Sequence, residues 1–469
     1  ARYVCFSFDA GVWSASDEME VLGTKAIAKN ALRLSKAGLA HKTMVADESD
    51  WSYAGQSDSL LNGSADICLM YHGTSFGYSE EELMPYVAYL DRDGAVLDSM
   101  FDGFLFLLSG NFPSGQAGYQ KSKKTDWEWL LNDLFADGKN LSALDSAAEK
   151  VNAALGTEGR KFNVFATLYY LHPAVTDFGD VDGDGVGEDL SVLENRMKVF
   201  KWFMDAFDAR WAEAGFKNLS FGGYYWYHEE ISNAEADPDE GNMIKGAGAL
   251  AHERGTQFFW IPWYSAPGYT KWASFGFDVA CMQPNYAFNA EVLESRLDMA
   301  TALIQSLGMC LEMEIDDKAL GNPVFYDKYM DYLMHGVTDG YMEKAIHMYY
   351  QGRFIFGSAS QNSSDKIRAI YDYTYLFIKK RLSEKPAVPD DLEFSCGAGE
   401  PMSGALAEKD PVRAYRIGVS PEHGEVSINE DGSFIYYPDP GYTGDDTFTF
   451  RYSERLFFSD DSTVTVHVS

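Results

Sequence analysis

Gly308-Met309-Cys310-Leu311-Glu312-Met313-Glu314-Ile315-Asp316 is the stretch on which the fold turns. Successive side chains of a β-strand point to opposite faces, so it divides into two sets. Met309, Leu311, Met313 and Ile315 form an apolar face of the kind that helices cover. Cys310, Glu312, Glu314 and Asp316 form the other, which places two glutamates and an aspartate on the inner wall of a closed barrel, rising towards its C-terminal rim. Burying a carboxylate without a partner costs several kcal/mol. These three are therefore expected to be hydrogen-bonded, ion-paired or functional, and an inner salt-bridge network is the plainer alternative.

Seven further apolar runs precede or follow this one. They lie at 67–73 (ICLMYHG), 103–108 (GFLFLL), 163–171 (NVFATLYYL), 220–229 (SFGGYYWYHE), 257–264 (QFFWIPWY), 278–286 (DVACMQPNY) and 345–351 (AIHMYYQ), with 308–315 as the seventh in chain order. Between them, segments such as 190–215, 241–254, 290–307 and 365–381 carry apolar residues at three- and four-residue spacing, the period of an amphipathic helix. Eight strand-then-helix units over about three hundred residues predict an α/β fold, a (β/α)8 TIM-type barrel. A doubly wound open sheet is the competing architecture. The Pro- and charge-rich 384–391 (EKPAVPDD) reads as a linker. Beyond it short alternating strands at 424–428, 433–438, 446–453 and 462–469, broken by Asp431-Gly432 and by Gly441-Tyr442-Thr443-Gly444, predict a small all-β sandwich. The expected organisation is an N-terminal segment 1–64 packed on the barrel, with one helix at 25–37, then a barrel at 65–384 and a sandwich at 392–469.

The composition narrows the chemistry. The chain has 469 residues, with 38 Lys and Arg against 71 Asp and Glu, a formal balance of −33. A surface so acidic repels phosphate backbones and anionic lipid, which disfavours nucleic acid and membrane surfaces as partners. Aromatic residues at 15% leave rings over for lining a cleft once a core is packed. No apolar run reaches the roughly eighteen residues of a membrane-spanning helix. The five cysteines, Cys5, Cys68, Cys281, Cys310 and Cys396, are far apart, and buried thiols are expected rather than a disulfide framework. No CxxC or HxxxH pair points to zinc. The chain opens at Ala1 without Met or a signal sequence, as a mature or trimmed chain would.

A second acidic strand end matches the first. Tyr224-Tyr225-Trp226-Tyr227-His228-Glu229-Glu230 closes the fourth predicted strand as 308–316 closes the seventh, and barrel enzymes build their active sites at that rim. In position this resembles the large clan of retaining glycosidases with an acid/base on strand four and a nucleophile on strand seven. His228 here stands where that clan has Asn. Hydrolysis of a glycosidic bond needs one carboxyl group to protonate the leaving oxygen and another to attack the anomeric carbon or activate water. Walls of Tyr225, Trp226 and Tyr227 would desolvate Glu229 and raise its pKa, as an acid requires. The expected pair is Glu229 as acid and Glu314 as nucleophile, with Glu230 and Glu312 as the alternatives if a strand ends one residue or one turn of the pleat elsewhere. Capping of the next segment is the plainer role for Glu229 or Glu230.

Sugar rings stack their C–H faces on aromatic rings. Trp226, Trp260, Trp263, Tyr264, Trp272, Tyr349 and Tyr350 all fall at or just beyond predicted strand ends, and Tyr71, His72, His172, His228, Gln283, Asn285 and His347 could add polar contacts. Trp226, His228, Trp263, Tyr350, Tyr71, His72, His172, Gln283 and Asn285 are the expected substrate contacts, although any one of them alone is as well explained by packing. Asp180-Val181-Asp182-Gly183-Asp184-Gly185-Val186-Gly187-Glu188 copies the front of an EF-hand loop, with oxygen ligands at the first, third and fifth positions, a turning glycine at the sixth and a carbonyl at the seventh. The predicted cofactor is structural calcium held by Asp180, Asp182, Asp184, Val186 and Glu188. Ser191 replaces the bidentate Glu of a full loop, so a further ligand would come from Glu194 or Asp177. No catalytic cofactor is expected.

The words ICLMYHG, DWEWLLNDLF, DFGDVDGDGVGEDLS, GGYYWYHEEI, LGMCLEMEID and YMEKAIHMYYQG together resemble domain-of-unknown-function family 4855, over most of residues 60–382. The resemblance implies a glycosidase-like barrel of secreted bacterial proteins and leaves the substrate open. GEVSINEDGSFIYYPDPGYTGDDTFTF resembles the bacterial immunoglobulin-like or cadherin-like repeats, which implies an immunoglobulin-like sandwich and an extracellular or cell-surface setting. The expected function is that of a secreted glycoside hydrolase acting on a poly- or oligosaccharide, with retention expected from the two-carboxylate pattern of strands four and seven. A non-catalytic carbohydrate-binding or adhesion protein on a degenerate barrel is the alternative. A polysaccharide esterase or deacetylase is the third class, disfavoured because Cys5-Phe-Ser-Phe-Asp9-Ala-Gly11 lacks a second Asp and no GxSxG elbow occurs.

Overall fold

A computed structural model describes residues 51–57, 59–74, 76–232, 237–382, 386–406, 414–429, 431–453 and 456–469. The helix expected at 25–37 and Cys5 lie outside them. Among the described residues, ten strands belong to the first part: β1 Asp66–His72, β2 Ala88–Leu90, β3 Val96–Ser99, β4 Gly103–Leu108, β5 Phe162–Leu168, β6 Leu219–Trp226, β7 Gln257–Trp260, β8 Val279–Met282, β9 Cys310–Glu314 and β10 His347–Tyr350. β2 and β3 form a small antiparallel pair. The other eight close into a barrel in the order β1-β10-β9-β8-β7-β6-β5-β4, every neighbour parallel. The fold is thus α/β, a closed eight-stranded barrel, and the open doubly wound sheet is excluded by the pairing of β1 with both β4 and β10.

Helices Leu193–Ala214, Glu240–Glu253, Ser295–Leu307 and Asp365–Ile378 fill the intervals where a helical period was read. Ser295–Leu307 stops at Gly308, whose φ of 61° is the left-handed conformation that ends helices cheaply only in glycine. The chain then enters β9 directly. There the two faces separate as the alternation predicts. Met309, Leu311, Met313 and Ile315 are wholly buried in the layer shared with the helices, while Cys310 belongs to a distinct cluster inside the barrel with Ile67, Leu69, Leu105, Phe165, Tyr225, Phe259, Cys281 and Met348. Each such aliphatic or aromatic side chain contributes about 1.5–3 kcal/mol by leaving water. Cys68, Cys281 and Cys310 are buried free thiols, as expected.

The N-terminal end of the barrel is stoppered. Leu61 is fully buried inside it among Ile67, Phe165, Phe259 and Val279. Gln257, the first residue of β7, accepts from the Leu61 amide and donates to the Ser59 carbonyl. The Asn62 side chain donates to Asn163 Oδ1 at 2.7 Å and to Ser220 Oγ at 3.2 Å, at the starts of β5 and β6.

The C-terminal part is all-β: β11 Leu392–Cys396, β12 Met402–Ala405, β13 Ala414–Ile417, β14 Gly424–Ile428, β15 Ser433–Pro438, β16 Gly444–Ser453 and β17 Ser462–Val468. Sheets β11-β17-β16-β13 and β12-β15-β14 bury Phe434, Tyr436, Phe448, Phe450, Val464 and Val466 between them. Four of the seven strands had been expected. β11, β12 and β13 are only four or five residues long, and β11 and β12 bury none of their residues fully. Among the described residues no helix is long and apolar enough to cross a membrane.

Candidate active site

β6 does not run evenly. Val164 pairs with Phe221 but Phe165 pairs with Gly223, so Gly222 is an extra residue without a partner on β5. A bulge of this kind reverses the pleat beyond it. Before it Leu219 and Phe221 face the helices; after it Tyr224 and Trp226 do, and Tyr225 and Tyr227 turn inward. Glycine is required next to the bulge. Gly223 has φ 147°, and a Cβ there would lie 2.0 Å from the Gln257 carbonyl oxygen of β7. The shifted phase carries the chain into the barrel mouth at 227–230.

There a cavity of about 280 Å³ opens at the C-terminal end of the barrel, walled by Leu69 and Tyr71 from β1, Leu107 from β4 and Tyr225 from β6. Glu229, Gln283, Phe288, Glu312 and Tyr350 complete it. Glu229 and Glu312 therefore face one cavity from β6 and β9, three strands apart around the barrel. Tyr71 and Tyr350 meet edge to face at 5.9 Å between ring centres. A second hollow, about 330 Å³, adjoins the first through Glu229 and is lined by Tyr119, Tyr227, His228, Glu230 and Trp263.

Three carboxyl groups are crowded here, and their environments differ. Glu312 is 3% exposed, and burial, followed by the charges of Glu314 and Glu229, pushes its pKa well above the usual carboxylate range. Glu314 has no exposed surface and lies off the cavity. It accepts hydrogen bonds from the Tyr332 hydroxyl, from the Tyr286 amide at 3.2 Å and from Asn285 Nδ2 at 3.5 Å. Burial outweighs those donors and its pKa is pushed up to about 7. Glu229 reaches solvent through the mouth, yet the protein atoms packed around it still penalise its charge and raise its pKa, against the Gln283 side chain and His228, which lower it. Carboxyl groups so placed cannot all ionise at neutral pH, so at least one holds a proton. Such a site can donate a proton from one carboxyl and offer a lone pair from another.

The structure brings together much of the predicted set. Glu229, Glu312, Tyr71, Gln283 and Tyr350 line the first cavity, and Glu230, His228 and Trp263 the second. Asn285 stands behind Glu314 rather than on the cavity. Its φ of 52° swings its side chain back, where it accepts from the Tyr264 amide at 3.0 Å and donates to Gln283 Oε1 at 3.4 Å. Three more expected contacts are corrected. Trp226 faces the helix layer, fully buried against Phe200 and Phe258, because the pleat puts it opposite Tyr225. His72 likewise points outward from β1, and its Nδ1 lies 2.7 Å from Asp133 Oδ2. His172 lines neither cavity; its Nδ1 accepts from the Ala174 amide at 3.1 Å, closing the turn it sits in. Trp260 and Tyr349 also face outward, and Trp260 Nε1 donates to the His228 carbonyl at 2.8 Å, fixing the end of β6. Asp316 caps the short turn Asp317–Leu320 through the Lys318 amide. The sequence reading missed Tyr332, Tyr286, Phe288 and Tyr119. Each comes from a loop or helix beyond a strand end, where no periodicity announces an inward side chain.

The acidic loop after β5 is tightly turned. Asp180 accepts from the Gly183 amide at 2.6 Å and the Gly185 amide at 2.9 Å, Asp184 from the Val186 amide at 2.8 Å, and the buried Glu188 from the Val181 amide at 3.0 Å. Carboxylate oxygens of Asp180, Asp182 and Glu188 converge within 4.8 Å of one another, without Asp184, whose side chain closes its own turn. Lys198 Nζ lies 2.7 Å from Asp182 Oδ2.

Comparison with known proteins follows the same division. No curated protein matches the chain. Among solved structures, an endo-fucoidan hydrolase, MfFcnA4 of glycoside hydrolase family 107, is 12% identical, with 86% of this chain and 67% of that one covered and a TM-score of 0.28. A cell-surface chitinase, ChiW from Paenibacillus sp. str. FPU-7, is 10% identical over 86% of this chain and 43% of its own, with a TM-score of 0.38. A tryptophan synthase α-subunit from Pyrococcus furiosus is 8% identical over 67% of this chain and 98% of its own, with a TM-score of 0.31. Those values carry no activity across to this chain. Residues 384–467 match the bacterial Ig domain. Residues 66–376, which contain every barrel strand and both acidic strand ends, match the domain of unknown function DUF4855, and the chain belongs to that family.

Proposed function

We propose that this protein is an extracellular glycoside hydrolase in which Glu229 is the proton donor and Glu312 the opposing carboxylate. The observation that carries the reading is that these two groups face one cavity from β6 and β9 while Tyr71, Tyr225 and Tyr350 wall it. Glu229 gives its proton to the glycosidic oxygen as the C–O bond breaks. Glu312 attacks the anomeric carbon, and Glu229 then takes a proton from the water that releases the sugar, with net retention. Glu314 sits behind Glu312, fixed by the Tyr332 hydroxyl, the Tyr286 amide and Asn285. The bacterial Ig domain supports the extracellular setting.

The test is release of reducing sugar from a panel of plant, algal, mucin and microbial glycans, with product anomers followed by NMR. The wild type releases sugar from one of them, and Glu312→Gln loses about a thousandfold or more. Azide restores turnover to Glu312→Ala as a glycosyl azide. Full activity of Glu312→Gln removes the assignment, and glycan binding without hydrolysis across the panel favours the adhesion reading.

We further read the loop 180–188 as a structural calcium site, on the convergence of Asp180, Asp182 and Glu188. Calcium then raises Tm over an EDTA-treated sample, and Glu188→Gln abolishes the difference. Equal melting of the wild type with calcium and with EDTA refutes it.

A further inference from the structure

Glu229 is the partition between two hollows, and the second is built as carefully as the first. Gly118 makes it possible. A Cβ at that position would fall 2.5 Å from the Tyr169 ring and 2.7 Å from the Tyr227 ring, so only glycine lets the loop carrying Tyr119 lie against them. Tyr119 itself is 51% exposed, with its ring 6.3 Å from that of His228 and inclined at 25°. His228 is held from behind by Glu240 Oε1 at 3.1 Å and by the Tyr170 ring at 5.1 Å. On the other side Trp263 is fixed by a bridge to Gln283, which lines the first cavity. The aromatic faces of the second hollow thus flank the same carboxyl group that reaches into the first.

The charge of the lining is equally specific. Glu229, Glu230 and Glu312 are its ionisable acids, and among the described residues no Lys or Arg lines either hollow. Two cations beyond the strand ends are engaged elsewhere: Arg296 lies over the Tyr264 ring and Arg353 over the Phe76 ring. A sulfate or uronate carboxylate entering these hollows would meet those carboxyl groups with no described Lys or Arg beside them and with His228 as the titratable base of the described lining, whereas hydroxyl, acetamido or ammonium groups would find acceptors.

Building on the hydrolase reading, we propose that the hollow of Tyr119, Tyr227, His228, Glu230 and Trp263 is the leaving-group subsite, that substrate is bound as at least two sugar units straddling Glu229, and that the glycan is uncharged or amine-bearing rather than sulfated or uronic. The first cavity, about 280 Å³, lies at the small end of the range for ligand pockets, roughly 300–1,000 Å³, which suits a single ring and leaves a second to the adjoining hollow. The second ring stacks on Tyr119 and Trp263.

Affinity electrophoresis tests this without reference to turnover. The probes are a neutral β-glucan, a neutral mannan, chitin oligosaccharides, chitosan, polygalacturonate and carrageenan. The wild type is retarded by at least one neutral or amine-bearing probe and by neither polygalacturonate nor carrageenan. Tyr119→Ala and Trp263→Ala each weaken that retardation about tenfold, the effect of 1.4 kcal/mol. Neither changes the net charge, so general attraction of an acidic protein to chitosan would survive them, and Tyr119 is exposed enough for its removal to leave the melting temperature unchanged. Retardation by carrageenan or polygalacturonate, by no probe at all, or to the same degree in both variants overturns the proposal. Binding as expected with no hydrolysis removes the hydrolase reading and with it the leaving-group role, and leaves the two hollows as adjoining sites for a neutral or amine-bearing glycan.

Discussion

Glu314 shows how two residues of one strand, with the same side chain and the same facing, come to differ. Both belong to the inward set of β9, yet Glu312 reaches the cavity and Glu314 ends beneath the loop after β8, where Tyr332, Tyr286 and Asn285 surround it. Alternation in the sequence told which face the glutamates take. It could not tell which of them meets solvent, because that depends on a tyrosine eighteen residues away on helix Pro323–Thr338. The difference yields a prediction. Ionised Glu314 is part of what raises Glu312, after burial. Glu314→Gln removes that charge, so Glu312 ionises at lower pH and the acid limb of kcat/KM moves to lower pH with turnover preserved. Loss of turnover with an unshifted limb would instead make Glu314 the attacking group, as the sequence reading had it. The corrections at Trp226 and His72 have the same origin, since one step along a strand exchanges cavity for helix layer.

At the scale of elements, all eight barrel strands were legible, because each is a short apolar run followed by a helical period or a turn. Their ends were not. The run 220–229 reads as one strand, whereas β6 stops at Trp226, and 278–286 shortens to Val279–Met282. Some aromatic and polar residues past these ends line the mouth and others, such as Asn285 and Tyr286, hold Glu314, and apolar content alone does not separate these uses from the ladder. The bulge at Gly222 was also invisible, although it sets which residues of β6 look inward. Gly223→Ala forces a Cβ against the Gln257 carbonyl. We expect a loss of about 2–4 kcal/mol in urea unfolding, with activity lost in step as the β6 end shifts. A variant as stable as the wild type would mean that the β6–β7 contact relaxes freely.

Across the whole molecule, texture alone separated barrel from sandwich, whereas the two hollows proposed to take sugar had no sequence signal, since they are assembled from at least six segments. Buried acids also shape the response to pH. Burial and the charge of Asp66 push Asp102 up to about 7, and Glu314 stands at about 7. A folded-state pKa above the unfolded value means that the native state holds the proton more tightly. The corresponding stability is complete below about pH 4 and disappears as pH rises through about 7. The urea midpoint is therefore expected to fall between pH 4.5 and 7.5, by convention about the ordinary and raised values, and Asp102→Asn to flatten that fall. An unchanged slope in the variant would show that Asp102 titrates alike in both states.

The stopper formed by Leu61, Asn62 and Gln257 has a mechanical corollary. A barrel sealed at its base offers no tunnel, so a long glycan cannot be threaded through and fed forward. On the proposed hydrolase reading it lies over the open end, is cut there, and each fragment retreats through the aperture by which it came.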